Sequence, residues 1–451
     1  MGASHSSRIP KLFWPEISAH VPLTQTQGST SVLAEHRTIR ELVEDHCPSL
    51  YKPFNPVWWL FNGHAQTMYS VVGDFSEVDK VSYDRVLLGM RDGGTIGLDF
   101  TPPESEGRNF ADDTPVIVAL HGLTGAQAGL GSYESYLRAI LAPAITPLEE
   151  GGLGYRAVVV NSRGCAGVPL TSPELYCAGR TTDIRCALLY IQTKYPKAPL
   201  LGVGFSLGSA ILTKYLSEEG EESRLVSGCG VAVPWDMLAM CDRLTNNFFD
   251  RNVYSRALGR NCQALLARHA SAIEQWPDSY LAKITPVVCS KPTLFAFDFD
   301  DMVSCVVGGP SPPWPLKGAI EFYKHVTPNQ YLPQVRVPYL GLDSEDDPIT
   351  SGTPIDSTNP WVGLAKTAAG GHLGWFENED GVVKRWIRKP VLEWFKMSAE
   401  HISPDHRRPR EILSRDGWLL DSGNEGMGVR VVQEGGLVKG AEPIDDLLAG
   451  L

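Results

Sequence analysis

The sequence predicts an α/β protein: a doubly wound, mostly parallel central sheet with helices on both faces and a helical or loop-rich cap inserted late in the chain. Three observations carry this. Unbroken apolar runs recur between helical patterns, which marks strands covered on both faces. The 451 residues are 43% apolar and 20% charged, enough to bury a large core. The alternation breaks once, over residues 234–333, where helical patterns and prolines replace strands.

Residues 1–50 read as a mixed N-terminal extension with room for a short helix between 31 and 45. Residues 53–69 are dense in aromatics (Phe54, Trp58, Trp59, Phe61, Tyr69) and are expected to pack as a flap on the core. Residues 81–88 and 95–100 form an antiparallel pair around the turn Arg91-Asp92-Gly93-Gly94. Five apolar runs follow, at 115–120, 156–160, 200–205, 228–233 and 339–342, with helical patterns at 182–194 and 207–216. The main domain therefore spans 51–396, with the cap at about 234–333. Residues 397–451 show no clear period and are expected to wrap the surface as a tail.

Composition excludes several functions. With 40 basic and 52 acidic residues the chain carries a net charge of −12, so it repels phosphate backbones and no nucleic-acid partner is expected. Nine cysteines without a CxxC pair argue against a disulfide scaffold or a zinc module, and for free thiols in a reducing compartment. No run of 18 apolar residues and no signal-peptide core is present. Met1-Gly2-Ala3-Ser4-His5-Ser6 fits the N-myristoylation pattern at Gly2, and a single myristoyl chain gives weak, reversible membrane contact. The expected address is intracellular: cytoplasmic, or peripheral on a membrane or lipid droplet. Oligomeric state is not encoded in any pattern.

The strongest local signal is Gly204-Phe205-Ser206-Leu207-Gly208, placed after an apolar strand and before a helical run. That context is a nucleophile elbow, with Ser206 on a strained turn at a helix N-terminus. The expected chain order is nucleophile, acid, histidine. His372, in Gly370-Gly371-His372-Leu373-Gly374, is the base in this reading. His269 and His325 fall in the insertion and are expected to face solvent, while His401 and His406 lie in the polar tail. The acid follows the run at 339–342, where Asp343, Glu345, Asp346 and Asp347 crowd one loop; Asp347 is the choice and Asp346 the alternative. The oxyanion hole would use the N–H of Leu207 and that of Leu123, in His121-Gly122-Leu123-Thr124-Gly125. Such donors are worth about 3–4 kcal/mol each when preorganised. His121 is expected to bond within its own loop. No metal and no organic cofactor is implied.

Taken together with Asn62-Gly63-His64-Ala65-Gln66-Thr67, Asn161-Ser162-Arg163-Gly164-Cys165 and Asp346-Asp347-Pro348-Ile349, these motifs resemble the AB hydrolase 4 family of α/β-hydrolases over residues 50–396. That family includes bacterial YheT-like esterases, animal membrane-associated lipases and phospholipases, and fungal medium-chain fatty acid ethyl ester synthase/esterases. The resemblance implies an α/β-hydrolase fold with Ser206, Asp347 and His372 as charge-relay residues. It matches Asp300 to a cap-region Phe-Asp signature and His64 to a motif position without a triad role, best read as a structural histidine. The animal members' N-terminal membrane anchor is not expected here, and the proline-rich segment 310–315 is expected to reshape the acyl pocket. The implied function is a serine esterase on medium-chain or lipid acyl esters. The alternatives are an alcohol O-acyltransferase and a non-catalytic lipid-binding protein.

Overall fold

The computed structural model describes residues 8–24, 36–75, 77–123, 135–404 and 407–437. The strands, in chain order, are β1 (Lys11–Phe13), β2 (His20–Pro22), β3 (His36–Thr38), β4 (Asp84–Met90), β5 (Thr95–Thr101), β6 (Val116–Leu120), β7 (Arg156–Asn161), β8 (Leu200–Phe205), β9 (Leu225–Val231), β10 (Tyr339–Ser344), β11 (Val362–Thr367), β12 (Phe376–Glu379), β13 (Val382–Arg385), β14 (Ile412–Arg415), β15 (Trp418–Asp421) and β16 (Asn424–Leu437). Twelve of them join one sheet in the order β1-β11-β10-β9-β8-β6-β7-β5-β4-β16-β15-β14.

The six strands from β7 to β11 in that order pair in parallel. These are the apolar runs of the sequence, and β6, β8, β9 and β10 are buried along their whole length. Both of their faces are covered. On one face lie α1 (Ile39–His46), α3 (Ser135–Ile145) and the helix Arg388–His401; on the other lie α4 (Thr182–Lys194) and α5 (Leu207–Glu219). β4 and β5 form the expected antiparallel pair. The strand order, with a parallel centre that turns antiparallel at β5–β7, gives the α/β-hydrolase fold. All nine cysteines are free thiols, packed mostly as small hydrophobes.

The connection from β9 to β10 carries the insertion, whose longer helices are Met237–Asn246, Arg256–Arg268, Tyr280–Cys289 and Ala319–Val326. Trp314 of the proline-rich segment is buried, donates its indole N–H to the Ser304 carbonyl at 2.8 Å and packs with Phe322 and Tyr323.

Both termini differ from expectation. β1 adds to the sheet edge against β11, and Ile39, Leu42 and Val43 of α1 belong to the main core. Thr38 and Glu41 close a capping box that starts α1 at 39, inside the stretch read as a short helix. The C-terminal segment does not merely wrap the surface: β14, β15 and β16 extend the sheet beyond β4, burying Leu420 and packing Val429 into the core on the α4–α5 face of the sheet. Four glycines in β16 and one solvent-facing side hid its period. The Gly2 modification site lies outside the described residues, as do Thr124, Gly125 and His406. Among the described residues no helix is long and apolar enough to cross a membrane.

Because Leu420 is only 3% exposed, Leu420→Ala should lower the unfolding free energy by about 2–3 kcal/mol in urea. A loose surface tail would show a change below about 0.5 kcal/mol, and that result would contradict this packing.

Candidate active site

Ser206 stands between the last residue of β8 and the first of α5, with φ 50° and ψ −118°. A non-glycine residue holds that conformation only where its surroundings enforce it. Here its N–H donates to the Val231 carbonyl at 2.9 Å, and its carbonyl accepts from the Ser209 N–H at 3.0 Å. A Cβ at Gly208 would sit 2.5 Å from the carbonyl oxygens of Leu120 and His121, so glycine there lets α5 start against the end of β6. The hydroxyl is thereby fixed at a helix N-terminus, where the backbone dipoles favour negative charge.

His372 reaches Ser206 from the far side. Its Nε2 is 2.9 Å from Ser206 Oγ, and its Nδ1 is 2.9 Å from Asp347 Oδ2. A carboxylate only accepts, so Nδ1 carries the proton and Nε2 offers its lone pair to the hydroxyl. Asp347 also accepts from the N–H groups of Ile349 (2.7 Å) and Thr350 (2.9 Å) and from the Thr350 hydroxyl (2.7 Å). Burial pushes its carboxyl up, but His372 and these hydrogen bonds outweigh that and leave it below the ordinary Asp value. Arg243 holds the Asp347 carbonyl at 2.9 Å. The neighbouring Asp346 faces the other way: its Oδ1 accepts from the Ser344 hydroxyl at 2.5 Å and the Gly371 N–H at 2.9 Å. One carboxylate meets the imidazole, and the next ties down the loop that carries it.

That loop is held chiefly by α2 (Gly63–Val72). Thr67 Oγ accepts the His372 N–H at 2.8 Å and donates to the Gly63 carbonyl at 2.7 Å. Gln66 accepts the Phe376 N–H at 2.8 Å. A Cβ at Gly63 would fall 1.7 Å from the Asp346 carbonyl oxygen, so only glycine permits the helix to start there. Buried Arg385, whose guanidinium lies within 5 Å of the rings of both Phe75 and Phe376, donates to the Leu373 carbonyl at 3.0 Å. The hexapeptide 62–67 was a visible signal whose role the sequence did not disclose.

No protein-family model matches the sequence. Curated relatives do. A monoacylglycerol lipase of Saccharomyces cerevisiae is 30% identical over 417 residues, covering 82% of this chain and 87% of its own. The chain belongs to the AB hydrolase 4 family of α/β-hydrolases. The mouse phospholipase ABHD3 is 30% identical over 372 residues (79% of this chain, 83% of its own). The Saccharomyces cerevisiae medium-chain fatty acid ethyl ester synthase/esterase 2 is 26% identical over 398 residues (75% and 84%). With this membership the protein is a carboxylic ester hydrolase.

In the hydrolase, Ser206, His372, Leu123 and Leu207 all line one cavity of about 1080 Å³, counting its open mouth. The rest of its wall is largely apolar, with Met237, Leu244, Leu258, Leu265, Phe297 and Phe322 prominent. The loop 121–123 abuts the nucleophile, since a Cβ on Gly122 would lie 3.8 Å from Ser206 Cβ. The Tyr176 hydroxyl donates to the Leu123 carbonyl and anchors that loop. His121 receives the Ser162 N–H at Nε2 (3.1 Å), and its Nδ1 meets the Gly122 carbonyl at 2.6 Å. Burial lowers its pKa to about 4, so it stays neutral.

The other histidines serve packing. His64 pairs through Nδ1 with the Tyr254 hydroxyl at 2.7 Å and bridges α2 to the cap. His269 and His325 are not simply solvent-facing: His269 Nε2 meets the Gly164 carbonyl at 2.7 Å, and His325 packs edge-on to Trp314. His401 ends a core helix and stacks on His46 at 4.0 Å.

The cavity wall also holds one carboxyl, Asp300, whose Oδ2 accepts the Tyr323 hydroxyl at 2.7 Å. Burial raises it to about 6, partly opposed by hydrogen bonds from Ser304 and Tyr323. An unfolded Asp loses its proton near 3.9. Between those values the folded state binds more protons, so this group's contribution to stability falls as pH rises from about 4 to about 6. Asp300→Asn removes the effect. Its stability relative to wild type should climb across that window by on the order of 1–3 kcal/mol and level off above about pH 7 in urea unfolding. A difference that does not change with pH would contradict a proton held on this carboxyl.

Proposed function

We propose that the protein is a serine esterase that cleaves medium-chain or lipid acyl esters through an acyl-enzyme, with Ser206 as nucleophile, His372 as general base and acid, and Asp347 orienting and stabilising the imidazolium. The observation that carries this reading is the continuous hydrogen-bonded line Asp347–His372–Ser206 opening onto an apolar cavity.

As Ser206 Oγ attacks the ester carbonyl, His372 Nε2 takes its proton. The carbonyl oxygen becomes an oxyanion, which the N–H groups of Leu123 and Leu207 receive. Collapse of the tetrahedral intermediate breaks the bond to the alcohol, which leaves with the proton from His372. Water then enters, His372 removes its proton, and the acid is released. An alcohol can take the place of water in that second half, which returns an ester. The apolar wall around Ser206 disfavours bulk water, and a relative is named for both activities. We infer that transfer accompanies hydrolysis when alcohol is abundant. The apolar lining selects an acyl chain over a charged substrate, because stranding a charge there costs far more than the wall returns. Free thiols throughout the fold suit a reducing, intracellular setting.

Ser206→Ala should lower kcat on p-nitrophenyl esters by several orders of magnitude while the fold, read by thermal unfolding, is kept. Wild-type turnover in that variant would overturn the nucleophile. Asp347→Asn should cost about 10⁴-fold in kcat by imposing the wrong tautomer. Asp346→Asn should cost far less, since it only loosens the loop; a larger loss at 346 would move the acid by one position.

A further inference from the structure

The insertion as a whole is balanced, with nine basic and nine acidic residues over 234–333, but its middle departs from the charge of the chain. Over residues 251–297 there are six basic residues (Arg251, Arg256, Arg260, Arg268, Lys283, Lys291) against two acidic ones, Glu274 and Asp278, in a protein of net charge −12. The cap helix Arg256–Arg268 sorts its residues by face. Leu258, Cys262 and Leu265 point inward and line the acyl cavity. Arg256, Arg260, Ala264 and Arg268 recur every fourth residue, form one stripe, and are all exposed. Glu274 and Asp278 lie beyond the end of this helix. Asp250, just before it, is buried and paired with Arg243 at 2.9 Å.

At the approach to the same helix stand two phenylalanines that the fold leaves in solvent, Phe248 at 84% and Phe249 at 52% exposure. Phe249 lies edge-on to His64 at 5.1 Å, next to the flap on which Trp58 and Phe61 are also exposed. The helix Tyr280–Cys289 packs beside the basic helix and adds exposed Lys283 and Val287. Gln263 fixes that neighbour by donating to the Val288 and Lys291 carbonyls at 2.8 and 2.9 Å. Aromatic side chains beside arginines on a helix whose opposite face is apolar make an interfacial surface. Arginine attracts anionic headgroups, and phenylalanine gains by leaving water for the acyl boundary.

We propose that this face docks the enzyme on an anionic phospholipid surface, with Phe248 inserting and Arg256 and Arg268 engaging headgroups, so that lipid enters the acyl cavity from the bilayer. The exposed phenylalanines favour a bilayer over a soluble polyanion, which would use the arginines alone. The docking rests on the lipid-ester reading only for the reason a bilayer is the partner; binding itself needs no turnover.

The test uses the full chain with Gly2→Ala, so that no acyl anchor contributes. Its sedimentation is measured with phosphatidylcholine vesicles with and without phosphatidylserine, alongside turnover of a water-soluble p-nitrophenyl ester. Wild-type cap should bind only the vesicles containing phosphatidylserine and be released by salt. The double variant Arg256→Gln/Arg268→Gln should bind roughly 25-fold more weakly, at about fivefold per arginine. Phe248→Ser should lose about tenfold with no change in charge. Both variants should keep soluble-ester turnover, which shows that they fold. Absence of binding to phosphatidylserine vesicles, or binding unchanged in both variants, overturns the proposal. So does retention by RNA with none by vesicles. Vesicle binding that persists when Ser206→Ala leaves ester turnover intact would refute the nucleophile and still support the docking.

Discussion

The structure turns on bringing an imidazole from one loop between a carboxylate from a second and a hydroxyl from a third, with 2.9 Å on each side. No single contact would secure this. The serine is fixed by the β8–α5 turn and its backbone strain, the aspartate by four hydrogen bonds within its own loop and to His372. The histidine is the least constrained by local structure, and most of the surrounding architecture serves it. Thr67, Asp346 and Arg385 each hold a backbone atom of the histidine or its immediate neighbours. An imidazole displaced by an ångström loses both partners at once, so this supporting shell matters as much as the line itself.

The cap helices give the same site its second property. Their inner residues make an apolar chamber over the serine, and the one carboxyl in its wall among the described residues, Asp300, sits paired with Tyr323. A low-dielectric chamber strengthens the hydrogen bonds aimed at a developing oxyanion. It also raises the energy of any unpaired charge, which is why the Asp300 carboxyl titrates high. One cap helix thus has two characters, an apolar face lining the cavity and an outward face carrying exposed arginines.

The parallel strands were legible because burial on both faces leaves unbroken apolar runs, and the elbow was legible because its glycines are sterically forced. The sheet's outer strands were not. β11 (VGLAKT) interrupts its run with Gly363 and Lys366, and β16 is rich in glycine, so neither shows a period. The hairpin β14–β15 did carry a signal, Asp416-Gly417, whose positive φ values suit a tight turn, but its flanking strands are only four residues each and show no alternation. Within the site, Asp347 and Asp346 could not be separated by sequence, since adjacent residues on one loop differ only in direction. Thr67 and Gln66 stood in a noticed motif, yet their function depends on a fold that brings α2 beside a loop 300 residues later. The N- and C-terminal segments were underestimated because edge strands with one wet face resemble loops in composition.

In the proposed mechanism His372 makes the Ser206 hydroxyl, and no other, strongly nucleophilic. The most direct measurement is the stoichiometry and position of fluorophosphonate labelling, read by peptide mass spectrometry in the intact protein and in His372→Ala. A single phosphonyl group is expected on the peptide carrying Ser206, with labelling lost when the imidazole is removed. An adduct on another residue, or equal labelling of Ser206 without His372, would contradict it.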